Sequence, residues 1–266
     1  MNSSYFHQKV VWITGASSGI GEELARQLDR AGAQLILSAR NVDKLNELKE
    51  SLQHKEQHLV VQVDLADTSN VGLLAQQIVA HYGRIDVLIN NGGISQRATA
   101  YDTTMDVNRQ IMEVNFFGNI AMTKAVLPVF RQQKSGQILV ISSIAGKFGF
   151  YLRSAYSASK HALFGYYESL VMEESDYNLK VTVACPGKIN TPISTNAVTA
   201  EGKAHGKMDH NQATGMSVED CVKQLLHALV KNKHEVLIGN KELIAVQLKR
   251  FFPRLFWKII PKQSPT

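Results

Sequence analysis

The feature that most constrains this chain is a repeated alternation between short apolar runs and helical stripes. Runs rich in Val, Ile and Leu fall at 10–13, 34–38, 59–63, 86–89, 137–141, 181–184 and 236–238. Between the early runs, apolar residues recur at helical spacing: Ile20, Leu24 and Leu28, then Leu45, Leu48 and Leu52, then Val71, Leu74 and Ile78. Strands that are apolar nearly throughout must be covered on both faces, and the intervening helices supply the cover. The pattern predicts an α/β fold: a doubly wound parallel sheet of about seven strands with helices on both faces. In such folds ligands sit beyond the carboxyl ends of the strands, where the strand order reverses. Function must therefore be sought in the residues that follow each run.

At 266 residues, the chain can bury a large core, and no linker or repeat divides it. One domain over 1–266 is expected, with a nucleotide-binding half to about 135, a substrate half over about 136–240 and a basic, aromatic tail from about 241. Two cysteines, Cys185 and Cys221, are too few for a disulfide framework or a multi-cysteine zinc site, and no metal is expected. Residues 1–9 lack the apolar run of a secretory signal, and no run is long enough to span a bilayer. A cytoplasmic location is expected, with peripheral contact at a membrane surface left open. The net charge of +6 is concentrated in the last segment, where Lys249, Arg250, Arg254, Lys258 and Lys262 stand without an acid. The remainder is near neutral, which argues against a nucleic-acid partner.

The first run leads into Thr14-Gly15-Ala16-Ser17-Ser18-Gly19-Ile20-Gly21 and then a helical stripe. Glycines let a backbone approach a ligand closely, and a helix N-terminus offers free N–H groups to a pyrophosphate. By itself the run could be only a tight turn; its position between first strand and first helix makes it a dinucleotide candidate. The second run ends in Arg40, where an acid would bind the ribose 2′-hydroxyl of NAD. A fixed cation there suits a 2′-phosphate, so NADP(H) is expected ahead of NAD. Ser18, where a second basic residue could stand, leaves that preference less than absolute.

The fifth run ends in Ser142-Ser143, and Tyr156 and Lys160 follow on one face of a helix. An ammonium beside a phenol stabilises the phenolate, so Lys160 is expected to lower the proton affinity of Tyr156. Tyr156 could then exchange a proton with a substrate oxygen near neutrality, while Ser143 binds the same oxygen. Each residue alone has an ordinary reading as a surface pair or a turn serine.

These motifs together resemble the short-chain dehydrogenase/reductase superfamily over nearly the whole length. The resemblance rests on residues 14–21, Asp64-Leu65, Asn90-Asn91-Gly92-Gly93, Asn115, Ser143, the Tyr156/Lys160 pair and Pro186-Gly187 followed by Thr191. It implies a Rossmann-like fold and an oxidoreductase that moves hydride between a nicotinamide and a carbonyl or secondary alcohol. It implies that Tyr156 is the acid/base, that Lys160 also holds the nicotinamide ribose, that Ser143 orients the substrate and that Asn115 anchors a proton relay behind Lys160. Gly15, Ser17, Ser18, Gly19, Ile20 and Gly21 would cradle the phosphates. Asp64 and Leu65 would meet the adenine, Asn91 and Gly92 the adenosine-side ribose, and Pro186, Gly187, Ile189 and Thr191 the nicotinamide end. Gly92 replaces the family's usual alanine, a change expected to leave binding intact. A homodimer or homotetramer is likewise implied. The run 90–97 and the polar segment 195–215 resemble, more narrowly, the dehydrogenase/reductase member 7 branch.

Two other readings stay open: a sensor that binds NADPH without turnover, and a membrane-surface lipid, steroid or retinoid dehydrogenase. The segment 192–217 has little periodicity and is expected to act as a substrate lid or a surface insertion. Met208, Met216 and residues 148–151 could line an apolar pocket or belong to the core, and His205 and His210 are not expected to bind metal. Pro253 should break the tail, which either packs on protein or lies in a membrane interface.

Overall fold

The computed structural model describes residues 3–207 and 214–262. Met208 and His210 lie outside the described residues. The seven expected strands form one parallel sheet: β1 (Val10–Thr14), β2 (Gln34–Ala39), β3 (Leu59–Gln62), β4 (Val87–Asn90), β5 (Gly136–Ile141), β6 (Leu179–Pro186) and β7 (Glu235–Ile238), in the order 3-2-1-4-5-6-7. The order reverses between β1 and β4, and the crevice opens there.

Alternate residues of each strand point to opposite faces, and each face has its own core. Val11, Ile13, Leu35 and Leu37 pack with Leu24, Leu28 and Leu225, from α1 (Gly19–Arg30) and α7 (Val218–Val230). Val10, Trp12, Ile36 and Leu88 pack on the other side with residues of α3 (Val71–Tyr82), α5 (Gly118–Gln133) and α6 (Ser154–Glu173). Two shorter helices, α2 (Val42–Glu50) and α4 (Met105–Met112), complete the layers. Trp12 reaches across to donate its indole N–H to Ser38 Oγ at 2.8 Å, which satisfies the one polar group of a fully buried ring. Both cysteines are buried and unbridged, and burial pushes each thiol up to about 12.

The tail breaks where proline requires it. Helix α8 (Ile244–Phe251) ends at Phe252, whose backbone leaves the helical region, and α9 (Pro253–Ile259) restarts with the proline at its first position.

Candidate active site

The carboxyl ends of the first six strands open into one cavity of about 1100 Å³. It is lined by Gly15, Ser17, Ser18, Gly19, Ile20, Arg40, Asp64, Leu65, Asn91, Gly92, Ser143, Tyr156, Lys160, Pro186, Gly187, Ile189 and Thr191, residues gathered from across the chain. Two expected site residues stand behind the wall instead. Gly21 lets α1 close on the turn, since a Cβ there would lie 2.2 Å from Gly15 O. Asn115 is fully buried.

At the β1 end, Gly15 takes a left-handed backbone (φ +65°), and a side chain on it would strike Gly92 Cα at 2.8 Å. The adjoining β4 end is latched to it. Thr14 Oγ1 accepts from Asn91 N and Gly92 N, each at 3.0 Å, while Asn91 Nδ2 donates to Thr14 O and Gly15 O at 3.0 and 3.2 Å. The side chain of Asn91 thus holds the turn, a role additional to the ribose contact expected of it. Ser18 precedes α1 in extended conformation and its hydroxyl makes no capping bond, so the first N–H groups of the helix face the cavity. Open donors at the positive end of a helix dipole, beneath a backbone cradle that a Cβ would fill, fit a pyrophosphate.

Arg40 is exposed at the end of β2, beside Asn41, Asp43, Gln62 and Asp64 on the cavity rim. Asn41 caps α2, accepting from Lys44 N at 3.0 Å, and Asp64 accepts from Ala66 N at 2.9 Å. Leu65 explains the departure at Gly92: a Cβ there would lie 2.5 Å from Leu65 Cδ1, so leucine fills the space of the missing methyl.

The opposite end gathers Ser143, Tyr156 and Lys160. Ser143 caps a short turn after β5, accepting from Ala145 N at 3.1 Å, and its hydroxyl donates to Pro186 O at 3.4 Å while favouring ionisation of the nearby Tyr156 phenol. Tyr156 sits in the first turn of α6 and is buried. Lys160 Nζ donates to Ile141 O at 2.8 Å and lies 5.7 Å from the centre of the Tyr156 ring. Burial brings the lysine down to about 8. Burial likewise raises the phenol above its ordinary value, opposed by Arg153, the Ser143 hydrogen bond and Arg97. Two arginines that the sequence pattern did not point to, Arg153 and Arg97, therefore join Lys160 as cations around the phenol.

Asn115 lies in a widened π-helical turn, Glu113–Phe117, between α4 and α5. Its Oδ1 accepts from Ile94 N at 2.8 Å, and its Nδ2 donates to Ile94 O at 2.9 Å and Ser159 Oγ at 3.0 Å. It ties the β4 loop to the helix that carries Tyr156 and Lys160.

Three residues of this end escaped the sequence reading. Gln96 is fully buried, and its Oε1 accepts from Ala155 N at 2.9 Å and Tyr156 N at 3.4 Å, capping α6 at the turn that carries Tyr156. Arg97 and Arg153 line the cavity with Tyr156. Arg153 follows Leu152, a non-glycine residue in the left-handed region (φ +58°), and that bend turns the chain into α6. Each of the three joins segments distant in sequence, so no local spacing marks it.

The described part of the segment expected as a lid or a surface insertion bonds to residues 95–104 and lines the cavity. Val198 N donates to Ser95 O at 2.9 Å, Arg97 N to Val198 O at 2.8 Å and Thr104 N to Ala200 O at 3.2 Å. Pro192, Ile193, Asn196 and Ala204 line the cavity from it. Met216 packs on the sheet core and Phe148 is buried under the tail, so neither joins a substrate pocket. Among the described residues no cluster could hold a metal ion.

This arrangement is that of the short-chain dehydrogenases, whose sequence profile matches residues 9–202, and the chain belongs to the short-chain dehydrogenase/reductase family. It is 42% identical over 269 residues to the mouse (Mus musculus) dehydrogenase/reductase SDR family member 7B, covering 99% of this chain and 83% of that protein. It is 40% identical to the SDR family protein 7-like of Anopheles gambiae, covering 99% and 85%. A short-chain dehydrogenase from Streptomyces avermitilis superposes with a TM-score of 0.81 at 29% identity, over 96% of this chain and 97% of that one. A Burkholderia phymatum short-chain dehydrogenase/reductase, solved with NAD, gives 0.82 at 20% identity over 98% and 97%. The protein is thus a dehydrogenase/reductase of a family that uses nicotinamide cofactors.

Proposed function

We propose that this enzyme uses NADP(H) to interconvert a carbonyl compound and its alcohol, with Tyr156 as acid/base. The observation that carries the reading is one cavity holding the phosphate turn and Arg40 at one end and Ser143, Tyr156 and Lys160 at the other. A bound nicotinamide would supply hydride to the carbonyl carbon, or take it from the alcohol carbon.

The chain's own residues handle the proton. In reduction the substrate oxygen accepts from Ser143 and Tyr156, and the phenol's proton moves to that oxygen as its negative charge develops. In oxidation the phenolate takes the proton back. Arg97 and Arg153 favour the phenolate, and Lys160, whose Nζ lies 5.7 Å from the centre of the Tyr156 ring, would hold the ribose of the nicotinamide and could exchange a proton at that nitrogen. Described ionisable groups at this end are Arg97, Arg153, Tyr156 and Lys160, while the cavity's described acids, Asp43 and Asp64, lie at the Arg40 end. That polarity favours a carbonyl compound with an anionic substituent over a cationic one.

Arg40 supports NADP(H) over NAD(H), because a guanidinium pairs with a 2′-phosphate and offers a plain ribose much less. A Tyr156→Phe enzyme should lose at least about a thousandfold in turnover on a carbonyl panel followed by NADPH absorbance. Its NADPH affinity, read by fluorescence titration, should stay within about twofold. Retained turnover would remove the assigned acid/base.

A further inference from the structure

The two tail helices carry an apolar, cationic face beside the catalytic end of the cavity. Ile244, Phe251, Phe252, Leu255, Trp257 and Ile259 are 40–66% exposed, and they make up half of the twelve exposed large apolar side chains among the described residues. Singly exposed apolar residues are ordinary; six within 244–259 are a local concentration that calls for cover. Interleaved with them are Lys249, Arg250, Arg254, Lys258 and Lys262, and no acid follows Glu242.

The patch is fixed on the fold. Phe256 is 1% exposed and meets the Phe148 ring edge-on at 5.3 Å, and Phe148 stacks on Phe150 at 4.6 Å. Lys249 Nζ donates to Lys147 O at 2.7 Å. The Arg153 guanidinium lies 5.8 Å from the Phe150 ring and lines the cavity beside Tyr156. A short chain of contacts therefore runs from the exposed face to the reacting end.

We propose that this face docks the enzyme on an anionic lipid bilayer, with α8 and α9 lying in the plane of the interface. Charge decides among occupants. A second copy seated on the face would bring Arg250, Arg254, Lys258 and Lys262 against the same four cations with no acid of the tail to pair them. Lysine-rich surfaces are also poor protein–protein cores. A phosphate-bearing bilayer surface pairs the cations and takes the aromatic rings at headgroup depth. Helices of eight and seven residues are too short to cross, and no described helix is long and apolar enough to do so. Docking does not depend on the redox reading. If both hold, the cavity opens next to the bilayer, and a carbonyl compound dissolved in lipid is the substrate class placed to reach Tyr156.

The test is flotation of the full chain with phosphatidylcholine vesicles, with and without phosphatidylserine. Trp257 reports entry, since the other tryptophan, Trp12, is fully buried in the sheet core. Serine-lipid vesicles should bind at least about tenfold more tightly than neutral ones, with a blue shift of Trp257 emission and weakening by salt. An Arg250→Glu/Arg254→Glu/Lys258→Glu protein should lose about a hundredfold or more in vesicle affinity, at roughly fivefold per cation removed. It should keep its unfolding temperature and its turnover of a water-soluble carbonyl. Absence of flotation at low salt, or equal flotation of the triple variant, would overturn the proposal. So would a dimer in sedimentation that Trp257→Ser splits, which would seat a second copy on the face.

Discussion

At Tyr156 burial and charge pull the same proton in opposite directions. Burial raises the phenol, while Arg153, the Ser143 hydroxyl and Arg97 bring it down. Replacing Arg153 with Met removes one of the cations and leaves the phenol harder to ionise. The pH profile of alcohol oxidation, which rises as the phenolate forms, should move upward by about one unit, and kcat/KM against pH measures it. Lys160 has the opposite problem. Its folded value near 8 lies below the unfolded lysine value, so between about 8 and 10 the unfolded chain holds a proton that the folded one has released. Stability contributed by this site therefore rises with pH across that window, and below it the full burial cost applies. A Lys160→Met protein should be roughly 2 kcal/mol more stable at pH 7 and inactive, with the gap in denaturation midpoints closing toward pH 10. The Tyr156/Lys160 pair and Ser143 were legible because helical spacing and strand-end position are local properties. The arginines were not, because their effect on the phenol depends on distance in space across loops that no periodicity describes.

Among the elements, α6 carries Tyr156 and Lys160, and its start is set from outside. A helix leaves its first N–H groups open, and here Gln96, more than fifty residues upstream, fills two of them from a buried position. Its Nε2 is itself held by Thr103 Oγ1 at 2.7 Å. Gln96→Leu should cost about 1–3 kcal/mol, since it strands buried donors, and chemical denaturation reads it. The same change should lower kcat through displacement of Tyr156 and leave NADPH binding within about twofold. The π-helical turn at Glu113–Phe117 works in the same way from the other side, with Asn115 fixing both Ile94 and Ser159. The strands were readable to within a residue or two at most ends, because their apolar runs match the burial they undergo. Of the layer helices only the stripes of α1, α2, α3 and the start of α6 were read, and α4, α5 and α7 were not. The segment 192–207 was not readable: it folds through local turns and bonds through Val198 and Ala200 to residues 95–104, so its order comes from irregular turns and a neighbour far along the chain rather than from any period.

For the whole molecule, the cavity draws its lining from the ends of six strands, so a ligand there bridges both halves of the sheet. Cofactor binding should therefore raise the global unfolding temperature. At about a hundred times its Kd, NADPH adds roughly 2.7 kcal/mol, or about 5–10 °C for a chain of this size. Arg40→Asp should lose most of the NADPH shift and keep most of the NADH shift in thermal unfolding; equal losses would remove the basis for the NADP(H) preference.

What the sequence by itself determined is the seven strands in chain order, the phosphate turn and the Ser143/Tyr156/Lys160 set, because periodicity and fixed offsets along one element survive without knowledge of the rest. Only the tertiary structure decided that Gly21 and Asn115 stand behind the cavity and that Gln96 caps the helix carrying Tyr156 and Lys160. It also decided that two arginines charge the reacting end and that Phe256 seats the tail beside it. The physical reason is that burial, electrostatic potential and hydrogen-bond partnership depend on separation in space, and the chain brings these groups together only when the sheet closes.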